Sequence, residues 1–169
     1  ELYWERPSDD FLEDSFFDFG YLDEYEEKER YWVNEPYAFV SIVHDKEENK
    51  DRYHVVEPQL NEFEEFFRDD VLDILRETLM YSKLEDGEGK EEKFKARVRE
   101  IVEEYGRDLE PGSLYKIYYY LERHFLGYGK IDPFLRDRKI EDISCNGVNI
   151  PVFLYHREYR DLRTNVAFE

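Results

Sequence analysis

Arg157, Arg160 and Arg163 lie within seven residues of one another and make a local inversion of charge in a strongly acidic chain. A guanidinium is a rigid fork of N–H donors that meets two phosphate or carboxylate oxygens at once. The segment His156-Arg157-Glu158-Tyr159-Arg160-Asp161-Leu162-Arg163 is therefore a candidate anion-binding stretch. Internal ion pairing with the chain's many carboxylates is the competing reading of the same residues. A second phosphate-binding candidate, Gly129-Lys130, fails on spacing. The positions that a phosphate loop fills with Gly and with Ser or Thr hold His124 and Ile131, and the pair follows a helical pattern rather than a strand. Gly127 and Gly129 suit a helix C-cap and turn instead.

No constellation of reactive groups stands out elsewhere. With 43 acids in 169 residues, close carboxylate pairs are inevitable, and none defines the cleft that paired-carboxylate catalysis needs. His44, His54, His124 and His156 share no helix at zinc-binding spacing, and no loop has the ligand order of a calcium site. His124 lies beside an apolar stripe, so partial burial is expected. Cys145 has no base or cation beside it in sequence, so it reads as buried and inert. As the single cysteine it allows no internal disulfide and fits a reducing compartment. No catalytic and no metal-ligating residue is assigned.

The charge balance excludes whole classes of function. Lys and Arg number 24 against 43 acids, a net charge of −19, which argues against a domain that grips nucleic acid through its phosphates. No apolar run approaches the roughly 20 residues of a membrane-spanning helix, and no signal peptide is visible. Aromatic residues make up 18% of the chain, with 15 Tyr and 13 Phe, enough ring surface to build a core and to exclude disorder as the general state. Residues 1–30 carry twelve acids and three bases, interleaved with aromatic residues such as Trp4, Phe16, Phe17, Phe19 and Tyr21. Such an arm is expected to order against a surface, either its own domain or a partner.

These side chains must be positioned by an α+β fold: an N-terminal hairpin and helices, followed by a small mixed α/β subdomain. Residues 37–43 and 52–57 read as a strand pair. Leu60, Phe63, Phe67, Val71, Ile74, Leu75 and Leu79 recur at helical spacing, with Asn61 as the cap. Asp86-Gly87-Glu88-Gly89 breaks the pattern. A second helix carries Phe94, Val98, Ile101, Val102 and Tyr105. A third, capped at Ser113, carries Leu114, Ile117, Tyr118, Leu121 and Phe125. Asp132-Pro133 opens a short helix, and strands are expected over 140–145, 152–156 and 164–168, with Asn146-Gly147 as a tight turn. The division expected is an acidic arm at 1–30, a hairpin-plus-helical subdomain at 31–110, and a helix-plus-sheet subdomain at 111–169. The chain begins at Glu1 rather than Met and stops directly after a strand, so it is expected to be part of something longer.

The run from Tyr120 to Asp137, which includes Arg123-His124-Phe125-Leu126-Gly127-Tyr128-Gly129-Lys130-Ile131-Asp132-Pro133-Phe134, and then Ile140-Glu141-Asp142-Ile143-Ser144-Cys145-Asn146-Gly147, resembles the N-terminal domain of secretion-superfamily ATPases. Ile150-Pro151-Val152-Phe153-Leu154-Tyr155-His156-Arg157, Thr164-Asn165-Val166 and, further upstream, Tyr31-Trp32-Val33 with Glu35-Pro36-Tyr37-Ala38 look like the archaeal type II/IV (GspE-like) branch. The resemblance is specific over 114–168. It implies a regulatory and docking module, not catalytic by itself, of a hexameric cytoplasmic ATPase that assembles a pilus, an archaellum or a secretion system. On that reading ATP and Mg sit in a C-terminal motor domain absent from this chain. Its partners are that motor domain, the other subunits of the hexamer and a membrane platform protein. The chain itself would be cytoplasmic, reaching the membrane through partners. Arg157 falls at the family's His-Arg position, and Arg160 stands where many relatives carry Gly; with Arg163 these are the cofactor-binding candidates. Two other readings remain: a free-standing acidic adaptor that binds a partner through its arm, and a self-contained hydrolase.

Overall fold

The structure is a computed structural model that describes residues 16–81 and 89–169. It is α+β, with helices and a six-stranded mixed sheet in two compact units. The helices, residues 60–127, form one unit. The other is discontinuous: among the described residues, 16–59 and 128–169 build the sheet together. The division therefore falls at 59/60 and 127/128, not at 30 and 110. The physical reason is a strand pairing that joins the two ends of the chain.

The sheet contains β1 (Glu26–Asn34), β2 (Ala38–Asp45), β3 (Lys50–Val56), β4 (Ile140–Ser144), β5 (Pro151–His156) and β6 (Arg160–Ala167) in the order β1-β2-β3-β6-β5-β4. All neighbours are antiparallel except β3 and β6, where Arg52 and Tyr53 lie beside Arg163 and Thr164 in a parallel pair. Asn165 reinforces that join, accepting from the Val55 N–H at 2.9 Å and donating to its carbonyl at 3.0 Å. Val40, Ile42, Tyr53, Val55, Val152, Leu154 and Leu162 share one core with Phe134 of the short helix at Asp132–Arg136. Asp132 is the first residue of that helix rather than its cap, accepting from the Tyr128 N–H and the Arg136 Nε.

β2 is buried on both faces because the end of the acidic arm covers the second one. Phe17 and Trp32 pack edge-on against Phe39, Phe19 stacks on it, and Tyr21 stacks on His54 at 4.2 Å. So residues 16–25 order against their own sheet. Residues 1–15 and the break at 86–88 lie outside the described residues. β1 also begins inside the arm. Its outward positions alternate Glu26, Lys28, Arg30 and Trp32 with half-buried neighbours, so charge hides the period of two.

In the helical unit, α1 (Glu62–Tyr81), α2 (Lys90–Tyr105) and α3 (Pro111–Phe125) bury Phe67, Val71, Leu75, Phe94, Val98, Ile101, Leu114, Ile117 and Leu121 in one cluster. Among the described side chains, which do not include Leu79, the expected stripes hold, except that Phe63 and Tyr105 are exposed at their edges. α3 starts one turn position earlier than expected, with Glu110 before Pro111 in place of a Ser113 cap. Asn61 does cap α1: its Oδ1 accepts the Glu64 N–H at 2.8 Å, and Glu64 Oε1 accepts the Asn61 N–H at 3.1 Å. The same Glu64 oxygen takes Lys116 Nζ of α3 at 2.9 Å, and both side chains are buried.

Removing one partner of a buried ion pair strands the other charge at a cost of about 3 kcal/mol or more. Lys116→Met is therefore expected to lower the unfolding free energy by about 3 kcal/mol, read as a fall in the urea midpoint. A variant as stable as the wild type would show that the pair does not hold α1 to α3.

Candidate functional site

The turn between β5 and β6 is built around an imidazole. His156, the last residue of β5, is fully buried, and its Nδ1 accepts the backbone N–H of Glu158 at 3.1 Å and of Tyr159 at 3.3 Å. Accepting at Nδ1 leaves the neutral ring's proton on Nε2, which then donates to Tyr31 Oη at 3.1 Å. Tyr31 donates in turn to Asp137 Oδ2 at 2.6 Å, and Tyr53 donates to the same oxygen at 2.6 Å. Asp137 Oδ1 accepts the Lys139 N–H at 2.9 Å. Burial pushes the His156 pKa below its ordinary value and raises both tyrosines far above theirs, so the ring and the two hydroxyls stay neutral.

A second layer lies toward solvent. Glu29 accepts Lys139 Nζ and the Tyr159 hydroxyl, each at 2.8 Å, and Lys139 also reaches Glu158 at 3.3 Å. The bond from Lys139 holds the Glu29 carboxyl below the usual range, while burial and Glu29 push Tyr159 up to about 12. β1 and β5 are not neighbours in the sheet, yet Tyr31 and Glu29 of β1 meet His156 and Tyr159. The sheet is thus curled, and these polar side chains tie its first strand to the β5–β6 turn.

That turn presents two of the three sequence-identified arginines. Arg157 is exposed. Its backbone N–H donates to the Lys139 carbonyl at 2.8 Å, its Nη2 to the Arg138 carbonyl at 3.4 Å, and its Nε lies 3.6 Å from Glu141. Arg160 donates to the Tyr155 hydroxyl at 2.6 Å and sits at φ +65°, a left-handed backbone that glycine adopts freely. Arg163 lies roughly 10 Å further along β6, on the face opposite buried Leu162 and Thr164, with no ion pair among the described residues. The structure therefore groups Arg157 with Arg160 and leaves Arg163 apart.

Sequence reasoning missed two contributors. Arg138, exposed beside Arg157, extends the cationic edge, and His156 shapes the turn although it looked like one of four scattered histidines. The available signal was the His156-Arg157 step at the end of an apolar strand. Two assignments are corrected: His124 is more exposed than the partial burial expected, though its ring still packs on Phe125, and Cys145, one residue past the end of β4, is exposed rather than buried. Chemically, the turn offers forked cations to an oxyanion.

Among the described residues, no group of three His, Cys, Asp or Glu side chains is placed to hold a metal ion, and no helix is long and apolar enough to cross a membrane. Residues 6–59 match the family described as PilB3-like, N-terminal. The chain is 35% identical over 139 residues to the uncharacterized protein MJ1288 of Methanocaldococcus jannaschii, covering 78% of this chain and 53% of that protein. The chain thus spans about half the length of that curated relative.

Two measurements test the turn. The unfolded chain protonates His156 near its ordinary 6.5, whereas the folded site resists protonation, so the folded state is favoured above 6.5 and loses stability as pH falls below it. The melting temperature should therefore drop between pH 7.5 and pH 5.5, and His156→Gln should flatten that drop; an unchanged slope would place the protonation elsewhere. His54 and His124, also lowered by burial, supply the remaining slope. At position 160 the left-handed backbone costs a branched residue about 1–2 kcal/mol. Arg160→Val should lower the melting temperature, and Arg160→Gly should keep or raise it; the reverse order would contradict the strained geometry.

Proposed function

We propose that this chain is the N-terminal regulatory and docking part of a pilus- or secretion-assembly ATPase and is not catalytic by itself. The match of residues 6–59 to the PilB3-like N-terminal family carries the reading, and a similar archaeal protein supports the archaeal branch of it. The arginine turn gives the reading a mechanism. Arg157, backed by the buried His156–Tyr31–Asp137 chain, would hold phosphate oxygens of a nucleotide bound in a separate motor domain. Arg160 is the second donor on the turn. Arg163, set apart along β6, is a weaker contributor. Hydrolysis, with its ATP and Mg, belongs to that motor domain in a homo-hexamer. The change in phosphate charge there would alter what Arg157 can grip and so reposition this part of the chain. On this reading the protein is cytoplasmic and reaches the membrane through a platform protein.

An exposed charge-assisted hydrogen bond is worth about 1.5–3 kcal/mol when its partner is ionised. Arg157→Ala in the full-length protein should therefore reduce ATP turnover by about tenfold or more, with the purified variant still assembling. Wild-type turnover would remove Arg157 from the nucleotide. ATP hydrolysis at a motor-like rate by the present chain alone would overturn the assignment as a non-catalytic part.

A further inference from the structure

The outer face of α1 places aromatic rings on a bed of carboxylates. Its inner face, with Phe67, Val71 and Leu75, is buried in the helical core. Opposite lie Glu62, Phe66, Asp69, Asp70, Asp73 and Glu77, all exposed. At about 100° per residue, Phe66 sits at the middle of this face, with the five carboxylates within about 60° to either side. Phe66 is 67% exposed, and Phe63, one turn back at the edge of the face, is 63% exposed. Among the described residues, Asp69 pairs with Arg68 and Asp73 with Arg76, whereas Glu62, Asp70 and Glu77 have no cationic partner.

The helix itself does not need this arrangement. Carboxylates favour the first turn through the helix dipole, and that benefit fades beyond it, so Asp69, Asp70, Asp73 and Glu77 gain nothing from it. Single exposed apolar residues are ordinary on protein surfaces. Two phenylalanines three residues apart, bordered by five carboxylates of which three have no cationic partner among the described residues, form instead an apolar centre with a charged rim, the layout of a recognition surface.

We propose that this face of α1 docks a basic amphipathic segment of a partner protein, with an apolar side chain packed on Phe66 and Phe63 and Lys or Arg residues on Glu62, Asp70 and Glu77. The charge decides among occupants. A phosphate-bearing polymer or an anionic lipid surface is repelled by the rim, and a second copy of the face would set like charges against each other. The inference does not rest on the ATPase reading, since it involves neither the arginine turn nor the residues matched to a family.

The test uses the whole chain and a synthetic amphipathic helix with Leu on one face and Lys on the other, compared with a scrambled peptide of the same composition. Anisotropy titrations in 0.15 M salt should show the amphipathic peptide binding at least tenfold more tightly than the scrambled one. Phe66→Ser should reduce that affinity about tenfold, and Asp70→Lys should weaken it further and flatten its salt dependence. Phe168→Ser, which alters an exposed ring in the sheet unit, should leave it unchanged. Phe66 is exposed, so an unchanged thermal midpoint will show that its variant is folded. Equal binding of the two peptides would mean attraction by net charge alone and overturn the proposal. So would equal affinities for the Phe66 and Phe168 variants, or binding that is lost only on deletion of residues 1–15. A wild-type dimer in sedimentation that Phe66→Ser dissolves would also overturn it, by assigning the face to self-association.

Discussion

A single carboxylate oxygen, Asp137 Oδ2, receives hydroxyl protons from two tyrosines on different strands, and the sheet unit depends on that meeting. The constraint is one of satisfaction. A buried hydroxyl or imidazole without a partner loses about 1–3 kcal/mol. Tyr31, Tyr53 and His156 are placed so that each relies on a neighbour in the same chain of bonds. No one of them can move without orphaning another. A curled six-stranded sheet has two edges that its ladder hydrogen bonds cannot join. Here the Asp137–Tyr31–His156 chain, with Glu29 and Lys139 outside it, joins β1 to the β5–β6 turn through side chains instead.

The elements visible in the sequence are those whose signal is local. The three helices announce themselves by apolar residues at three- and four-residue steps, and Asn61 with Glu64 forms the cap that its residue types imply. The β2–β3 hairpin is visible for the same reason. The parallel β3–β6 pair is not, because it joins residues more than a hundred positions apart and depends on Asn165 bonding to Val55, a contact that no pattern of hydrophobicity encodes. β1 escaped because its outward positions are charged, so the stretch reads as a solvated arm. The candidate site divides along the same line. The arginines were visible as a local charge inversion, while the imidazole that folds the turn beneath them was hidden by its distance from Tyr31 and Asp137.

The acidity of the chain likewise resolves into structure. Part of it belongs to the arm, whose residues 16–25 order against the sheet and bring Phe17, Phe19 and Tyr21 with them. Part is internal. Glu27 takes the Ser41 hydroxyl and Arg30, Asp51 takes His44 and Lys28, and Glu64 takes Lys116. Among the described residues, Glu62, Asp70 and Glu77 stay without a cation on the outer face of α1, while Arg138, Arg157 and Arg160 are exposed together beside the β5–β6 turn. Net charge alone would predict uniform repulsion of anions. The distribution instead sets a cationic turn in one unit and an anionic helix face in the other.

Presentation of an arginine has a free-energy consequence of its own. A free arginine side chain carries about 2 kcal/mol of rotamer entropy, which an anion must offset to hold it still. At the β5–β6 turn much of the ordering is done before any ligand arrives. His156 fixes the backbone of residues 158 and 159, the Lys139 carbonyl fixes the Arg157 N–H, and the Tyr155 hydroxyl holds the Arg160 guanidinium. The left-handed backbone at residue 160 works against that ordering, since an arginine there must be held by its surroundings where a glycine would not. A buried, neutral histidine is suited to the holding, because it accepts two N–H bonds only while its Nδ1 is unprotonated. The acceptor that orders the turn is thus also the group whose protonation would release it, and the stability of the sheet and the aim of the arginines are set by one ring.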